Sequence, residues 1–283
     1  MPKLRTAITS IFTHFLIWLF LIFALYPILW VIALAFSKGV VPESRVLPVP
    51  SHFSLEHFQA VILRTDAQGR WLFARQLWNS TLTATATAFV SVLIAIPAAY
   101  AFSRFDFVGK ATTLRGLLAT QMFPGVAASV PLYLVLDTLN LLDTLSGLVL
   151  VYATSTLPFA LFQLRSTFDT IPRDLDEAAM VDGASRVEAF LRVVLPVARP
   201  GIAITALFAF MSAWNEFILA ATFLSREEHY TLPILLQSYA TEHDANLGHF
   251  AAGAILVSLP VMILFYLLQR ELVAGLTAGG VKG

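Results

Sequence analysis

The sequence contains no cysteine, which excludes disulfides, thiolate metal sites and a cysteine nucleophile. Charge is almost as scarce. Only 13% of the 283 residues are charged and 58% are hydrophobic, whereas a soluble domain carries about a quarter charged residues. The deficit is concentrated in long stretches without Asp, Glu, Lys or Arg, a pattern set by lipid and not by a large soluble core. Basic and acidic residues balance at 18 each, and no basic tract appears. Membrane lipid is therefore an expected partner and nucleic acid is not. No G-x4-G-K-[ST] occurs, since Gly109-Lys110-Ala111 lacks the preceding glycine and the hydroxyl residue. The chain thus has no P-loop with which to bind ATP. G-x-S-x-G and H-E-x-x-H are also missing, and His14 and His249 stand only at the edges of apolar runs. Neither a serine hydrolase nor a metal site is predicted, and no cofactor is expected on this chain.

What is present is a set of six apolar runs, near 15–36, 81–102, 116–136, 144–164, 202–224 and 250–269. Each is long enough to cross about 30 Å of hydrocarbon as a helix. The expected fold is all-α: a polytopic membrane protein of six transmembrane helices, a single membrane domain over residues 1–283. The first run follows Lys3 and Arg5 as a signal peptide would, but it exceeds an h-region of about 7–15 residues. No small-x-small cleavage site follows it, so it reads as a retained helix. Prolines at 27, 97, 124, 131, 158 and 260 lie within the runs, which predicts bent helices packed in a bundle. With the N-terminus inside, the inner segments carry 12 Lys and Arg and the outer ones 6, five of these in the long 38–79 loop. That asymmetry places both termini in the cytosol. The 38–79 loop, rich in proline and aromatics, is expected to form a small cap.

Residues 169–200 form the most structured loop. Pro172 fits a first helical position, with Asp174, Asp176 and Glu177 at the positive end of the helix dipole. Gly183 fits a helix C-terminus, and Ser185-Arg186-Val187-Glu188 reads as a capping box that opens a second helix ending at Leu195-Pro196. Apolar Leu175, Val181, Val187 and Leu191 alternate with six acids and four arginines over 169–199. On the residues alone, a membrane-surface connector and a docking element both fit.

Glu177-Ala178-Ala179, then Gly183, then Val193-x-Leu195-Pro196 resembles the EAA loop of ABC-importer permeases, E-A-A-x3-G-x9-I-x-L-P, with valine in place of isoleucine. Tyr100–Phe107 with Gly109-Lys110, the Gln121-Met122-Phe123-Pro124 and Trp214-Asn215-Glu216-Phe217 segments, and the tail Gly275–Gly283 are similar to carbohydrate permeases of the maltose/maltodextrin type. The resemblance covers nearly the whole chain. It implies a type I importer bundle in a bacterial inner membrane, non-catalytic, that carries a sugar such as maltodextrin or trehalose. It further implies a second, non-identical permease, two copies of a cytosolic ATPase that hold ATP and Mg, and an extracytoplasmic sugar-binding protein. Carried over, Glu177, Ala178, Ala179, Asp182, Gly183, Ala184, Leu195 and Pro196 form the ATPase contact. The tail residues Thr277, Gly279, Gly280 and Lys282 form a second contact, against which stands a plain chain end. The outer loop 225–249 becomes a docking surface for the binding protein.

Glu216 is the one acid well inside a predicted span, where an unpaired carboxylate is costly. It is a candidate for the substrate path or gate with Gln121, Trp214 and Asn215, or else a structural hydrogen-bonding group. If it carried a proton, the chain would instead be an ion-coupled secondary transporter, a reading that leaves the 169–200 loop unexplained. Thr81 and Thr85 share one helix face and Thr83 and Thr87 another, which fits interhelical packing better than sugar binding.

Overall fold

A backbone in hydrocarbon must satisfy its polar groups within its own segment, and helices do so residue by residue. The structure, a computed structural model, describes residues 2–39, 47–50, 52–123, 125–241 and 246–280, with backbone alone for 2–9, 241 and 270–280. Among these residues the elements are α1 (Pro2–Ala35), α2 (Glu56–Ile62), α3 (Leu72–Arg104), α4 (Lys110–Gln121), α5 (Gly125–Thr138) and α6 (Leu145–Thr170). They continue with α7 (Asp174–Val181), α8 (Arg186–Ala189), α9 (Leu195–Val197), α10 (Arg199–Trp214), α11 (Ile218–Phe223), α12 (Leu232–Thr241) and α13 (Leu247–Gly280). A π-helical turn, Phe190–Val194, joins α8 to α9.

Four of these helices, α1, α3, α6 and α13, are each long and apolar enough to span a bilayer, and the number reaches six if each of two bent pairs, 110–138 and 186–214, is one span. The expected spans near 116–136 and 202–224 are not continuous, which corrects the sequence reading. The first is divided between α4 and α5, around Phe123, whose following proline disfavours helix at that position. Pro124 itself lies outside the described residues. The second is divided at 215–217, between α10 and α11. Helix α10 also meets the 186–197 segment at 73°. Helix α13 continues the expected sixth span as helical backbone to Gly280.

The chain divides into two compact units. The first comprises residues 1–73 and 235–259. Every side chain from Ser10 to Leu29 on α1 is exposed, as suits a helix whose solvent is lipid. Phe36, just after α1, stacks on Phe53 at 5.1 Å and leans on Phe58 at 4.8 Å, both in the 38–79 segment expected to form a cap. His57 of α2 lies buried over Gly248, where any Cβ would strike its ring. Glu242, His243 and Asp244 of the predicted outer docking loop, and Pro42 of the cap, are outside the described residues.

The second unit comprises residues 74–234 and 260–283. Its core is small-residue packing between α3 and α6: Ala95, Ala99 and Ala160 interlock with Leu164, Phe168, Ile171, Val194 and Ala198. Small side chains let helix backbones approach closely where water cannot drive association. Gly201 of α10 meets Thr167 of α6 in the same way, leaving no room for a Cβ. The threonine row divides between two faces: Thr83 and Thr87 are buried, while Thr81 and Thr85 line an apolar groove with Leu207, Phe210 and Ile263.

Candidate coupling surface and helix breaks

The segment after α6 folds by local rules. Asp174, Asp176 and Glu177 occupy the first turn of α7, where the helix dipole favours acids. Pro172 stands two residues before the helix, and its carbonyl accepts the Leu175 N–H at 3.3 Å. At the other end, the Ala184 N–H reaches the Ala179 carbonyl at 3.0 Å and the Gly183 N–H reaches Met180 at 3.1 Å. This bond pair is a Schellman closure, and it needs a left-handed residue. Gly183, at φ +92°, supplies it.

The Ser185 hydroxyl then accepts the Glu188 N–H at 3.3 Å, and a Glu188 oxygen accepts the Ser185 N–H at 3.0 Å. This is the reciprocal capping box expected from the sequence. The Ser185 N–H, with the Ser185 hydroxyl and the charge of Arg192, holds the Glu188 carboxyl below its usual range. Leu195 and Pro196 do not end a free helix; they sit in α9, the last turn before the bend into α10. The outward face is mixed: Glu177, Ala178, Asp182 and Gly183 are exposed, Ala179, Ala184, Leu195 and Pro196 half-buried. Among them stand Val181, 87% exposed, and Val187, Leu191 and Val197. Apolar side chains are thus left open on a firmly shaped segment.

Behind that face lies a node that sequence reasoning missed. Arg104, the last residue of α3, donates from Nε to Asp176 Oδ2 at 2.8 Å. Its other nitrogens donate to the Phe168 carbonyl at 3.1 Å and the Ile171 carbonyl at 2.9 Å, at the end of α6. The Tyr100 hydroxyl donates to Asp176 Oδ1 at 2.8 Å. Ser103 donates to Asp169 at 2.6 Å, and Arg173 donates to the Ser103 carbonyl at 3.0 Å. A local rule would pair an arginine at a helix C-terminus with the last carbonyls of its own helix, whereas Arg104 takes those at the end of α6.

Two of the path candidates, Glu216 and Gln121, bond to one turn of α6. Glu216 accepts the Leu219 N–H at 2.8 Å, the Ala220 N–H at 3.1 Å and the Tyr152 hydroxyl at 2.6 Å. It caps α11, and this capping divides the predicted fifth span. Asn215 is exposed and its amide donates to the Met211 carbonyl at 2.9 Å. Gln121, at the end of α4, is also exposed and donates to the Ser155 carbonyl at 3.4 Å. Both helix breaks therefore meet α6 between Tyr152 and Ser155. Trp214 is 2% exposed and stacked on Phe210 at 5.4 Å, a packing position. Thr277, Gly279 and Gly280 lie on the helical backbone of α13, and Lys282 lies outside the described residues. Among the described residues no group of three metal-ligating side chains occurs.

At the other end of the second unit, Asp143 holds the 224–231 loop. It accepts the N–H groups of Ser225 at 2.9 Å and Arg226 at 3.2 Å, and pairs with the Arg226 guanidinium and with His229. Arg75 faces Glu228 at 3.8 Å, and Asn79 donates to the carbonyls of Glu228 and Tyr230 at 2.9 and 3.0 Å. Burial works against ionising Asp143, but these donors outweigh it and leave its carboxyl well below the usual range.

This arrangement of helices has solved counterparts. A bacterial ABC transporter involved in the import of the acidic polysaccharide alginate aligns over 94% of this chain and 97% of its own, with a TM-score of 0.78 and 24% identity. The MetNI methionine ABC transporter aligns over 74% and 99%, with a TM-score of 0.60 and 17% identity. The chain belongs to the family of binding-protein-dependent transport system inner membrane components, whose sequence profile matches residues 4–277. It is a multi-pass inner-membrane protein. It is 35% identical over 267 residues to the inner membrane ABC transporter permease protein YcjP of Escherichia coli K12, covering 94% of each chain. It is also 35% identical to the trehalose transport system permease protein SugB of Mycobacterium tuberculosis, covering 92% of this chain and 93% of that one. Identity to the maltose/maltodextrin transport system permease protein MalG of Vibrio vulnificus is 36%, covering 96% and 95%.

Proposed function

We propose that the chain is the membrane permease of an ATP-driven importer of a neutral di- or oligosaccharide, and that a separate cytosolic ATPase seats on α7 and the turn at Gly183. The observation that carries this reading is the capped α7–α9 segment itself, locally over-determined yet presenting Glu177, Ala178, Val181 and Asp182 to solvent. Glu177 supplies a charge for the ATPase. Ala178, Ala179, Gly183 and Ala184 allow close backbone approach, and Leu195 and Pro196 join the contact to the bend into α10. Thr277–Lys282 form a second contact on the same partner.

The termini then face the cytosol, consistent with the Lys and Arg distribution. The assembly holds a second, non-identical permease, two ATPase copies that bind ATP and Mg, and a sugar-binding protein outside. ATP closes the ATPase pair and moves the docked segments, and the bundle alternates access around the broken helices. Discontinuous helices commonly mark such a path. Asn215 and Gln121 are the open polar groups on it, while Glu216 and Trp214 set the geometry of the break. The saccharide class rests on the relatives, whose names specify trehalose, maltodextrin, diacetylchitobiose and galactooligosaccharides.

The test is co-purification of the ATPase with the tagged chain, followed by uptake of trehalose and maltotriose in proteoliposomes. Glu177→Lys and Gly183→Pro are expected to release the ATPase while the chain remains in the membrane. Normal assembly and normal ATP-driven uptake in both variants would sink the docking reading.

A further inference from the structure

Arg104 raises a question that docking alone does not answer. A docked helix transmits motion only if it cannot slide on the helices behind it, and α7 is short, eight residues with no long-range backbone ladder of its own. We propose that Arg104, with Asp176 and Tyr100, is a strut that makes α7 one body with the ends of α3 and α6, so that displacement of α7 is delivered to both spans. This rests on α7 being the docking element.

Three features support the strut. The first is reach: one guanidinium, from the end of α3, holds two carbonyls at the C-terminus of α6 and a carboxylate in the first turn of α7. Arginine's planar fork suits such multiple donation, and lysine, a point charge with no fixed fork, does not reproduce it. The second is burial. The Arg104 and Asp176 side chains are only 8% and 11% exposed, so the pair is shielded from salt and solvent exchange. Asp176 is, moreover, the buried acid of α7, whereas Asp174 and Glu177 face outward. The third is closure. Tyr100 takes the remaining Asp176 oxygen and packs against Phe168 and Phe190, while Ser103 and Arg173 cross-link the same three elements independently. No single bond in this set can give way without another resisting. Arg104 is thus a positioning residue for coupling.

The absence of cysteine permits a direct measurement. Spin labels at Ser166→Cys on α6 and Asp174→Cys at the start of α7, both exposed positions outside the residues named for the ATPase contact, report the separation of the two helices. The label pair is measured in the chain alone and in its complex with the ATPase, with and without ATP plus vanadate. The expected result is one narrow distance distribution, unchanged by nucleotide. In Arg104→Lys and in Asp176→Asn the distribution broadens or divides, the ATPase still co-purifies, and ATP hydrolysed per sugar carried rises several-fold. A shift of more than one helical turn, about 5 Å, on adding nucleotide to the otherwise natural chain would show that α7 moves on its own and overturn the strut. So would natural distributions and natural coupling in both variants. The distances in the chain alone require no ATPase, so a failure of the strut is distinguishable from a failure of docking.

Discussion

Helix α3 ends in an arginine–carboxylate node at one pole, and near its other pole the 224–231 loop is held by a second; the two are built on opposite terms. Arg104 and Asp176 are almost fully buried, whereas Arg226 is 59% exposed and Asp143 16%. The buried node joins three helices separated widely in sequence and has a carbonyl or carboxylate for each guanidinium nitrogen. The exposed node shapes a loop, and much of its work is done by backbone N–H groups that would find water if released. About 40 Å of helix separates Gln76, near the loop, from Arg104. The rigid joint lies behind α7, the docking element proposed above, and the water-accessible clasp lies by the opposite end of α3.

The difference predicts unequal losses. Removing one partner of a buried ion pair strands the other charge, at a cost of about 3–5 kcal/mol. Arg104→Ala also leaves the Phe168 and Ile171 carbonyls without their donor. The purified variant is therefore expected to unfold at a clearly lower temperature than the natural chain in the same detergent. An unchanged transition would remove the contrast between the nodes. Asp143→Ala comes next. It frees two loop N–H groups and places alanine at a residue with φ +54°. The expected loss is about 1–3 kcal/mol, and it should appear as faster proteolysis within 224–231 before global unfolding. A loss as large as that of Arg104→Ala would make the two nodes equivalent.

What was legible in the sequence follows the same division between local and distant. The apolar runs announced the spans, because lipid demands a long run of each. The Gly183 turn and the Ser185–Glu188 box were legible because each bond spans five residues or fewer. Arg104 and Asp176 stand 72 positions apart, and no local rule pairs them; Asp176 read only as one of several first-turn acids. The division of the fifth span was missed for a subtler reason. Glu216 satisfies N–H groups three and four residues ahead, so the sequence carries a cap, but the surrounding apolar run hid it. The Tyr152 partner, on another helix, was beyond sequence reasoning altogether.

The smallest effect tests the exposed node most finely. Arg226→Ala removes a solvent-exposed guanidinium and should cost about 0.2–1 kcal/mol, less than Asp143→Ala because the two backbone donors remain. Its dependence on pH is the sharper measurement. The folded Asp143 carboxyl titrates below its ordinary 3.8, so the folded state binds fewer protons than the unfolded state as pH falls past that value. The stabilisation is complete above about pH 4 and drains away on acidification toward the lowered folded value. Added salt weakens the guanidinium contribution across that range, because the charge is open to screening. In Arg226→Ala the acid loss should persist, carried by the Ser225 and Arg226 N–H groups, while its salt sensitivity falls. Thermal unfolding between pH 3 and 7 at two salt concentrations reads both. If the acid loss vanished with the arginine side chain, the guanidinium and not the backbone would hold the loop, and the two poles of the unit would rest on the same kind of bond after all.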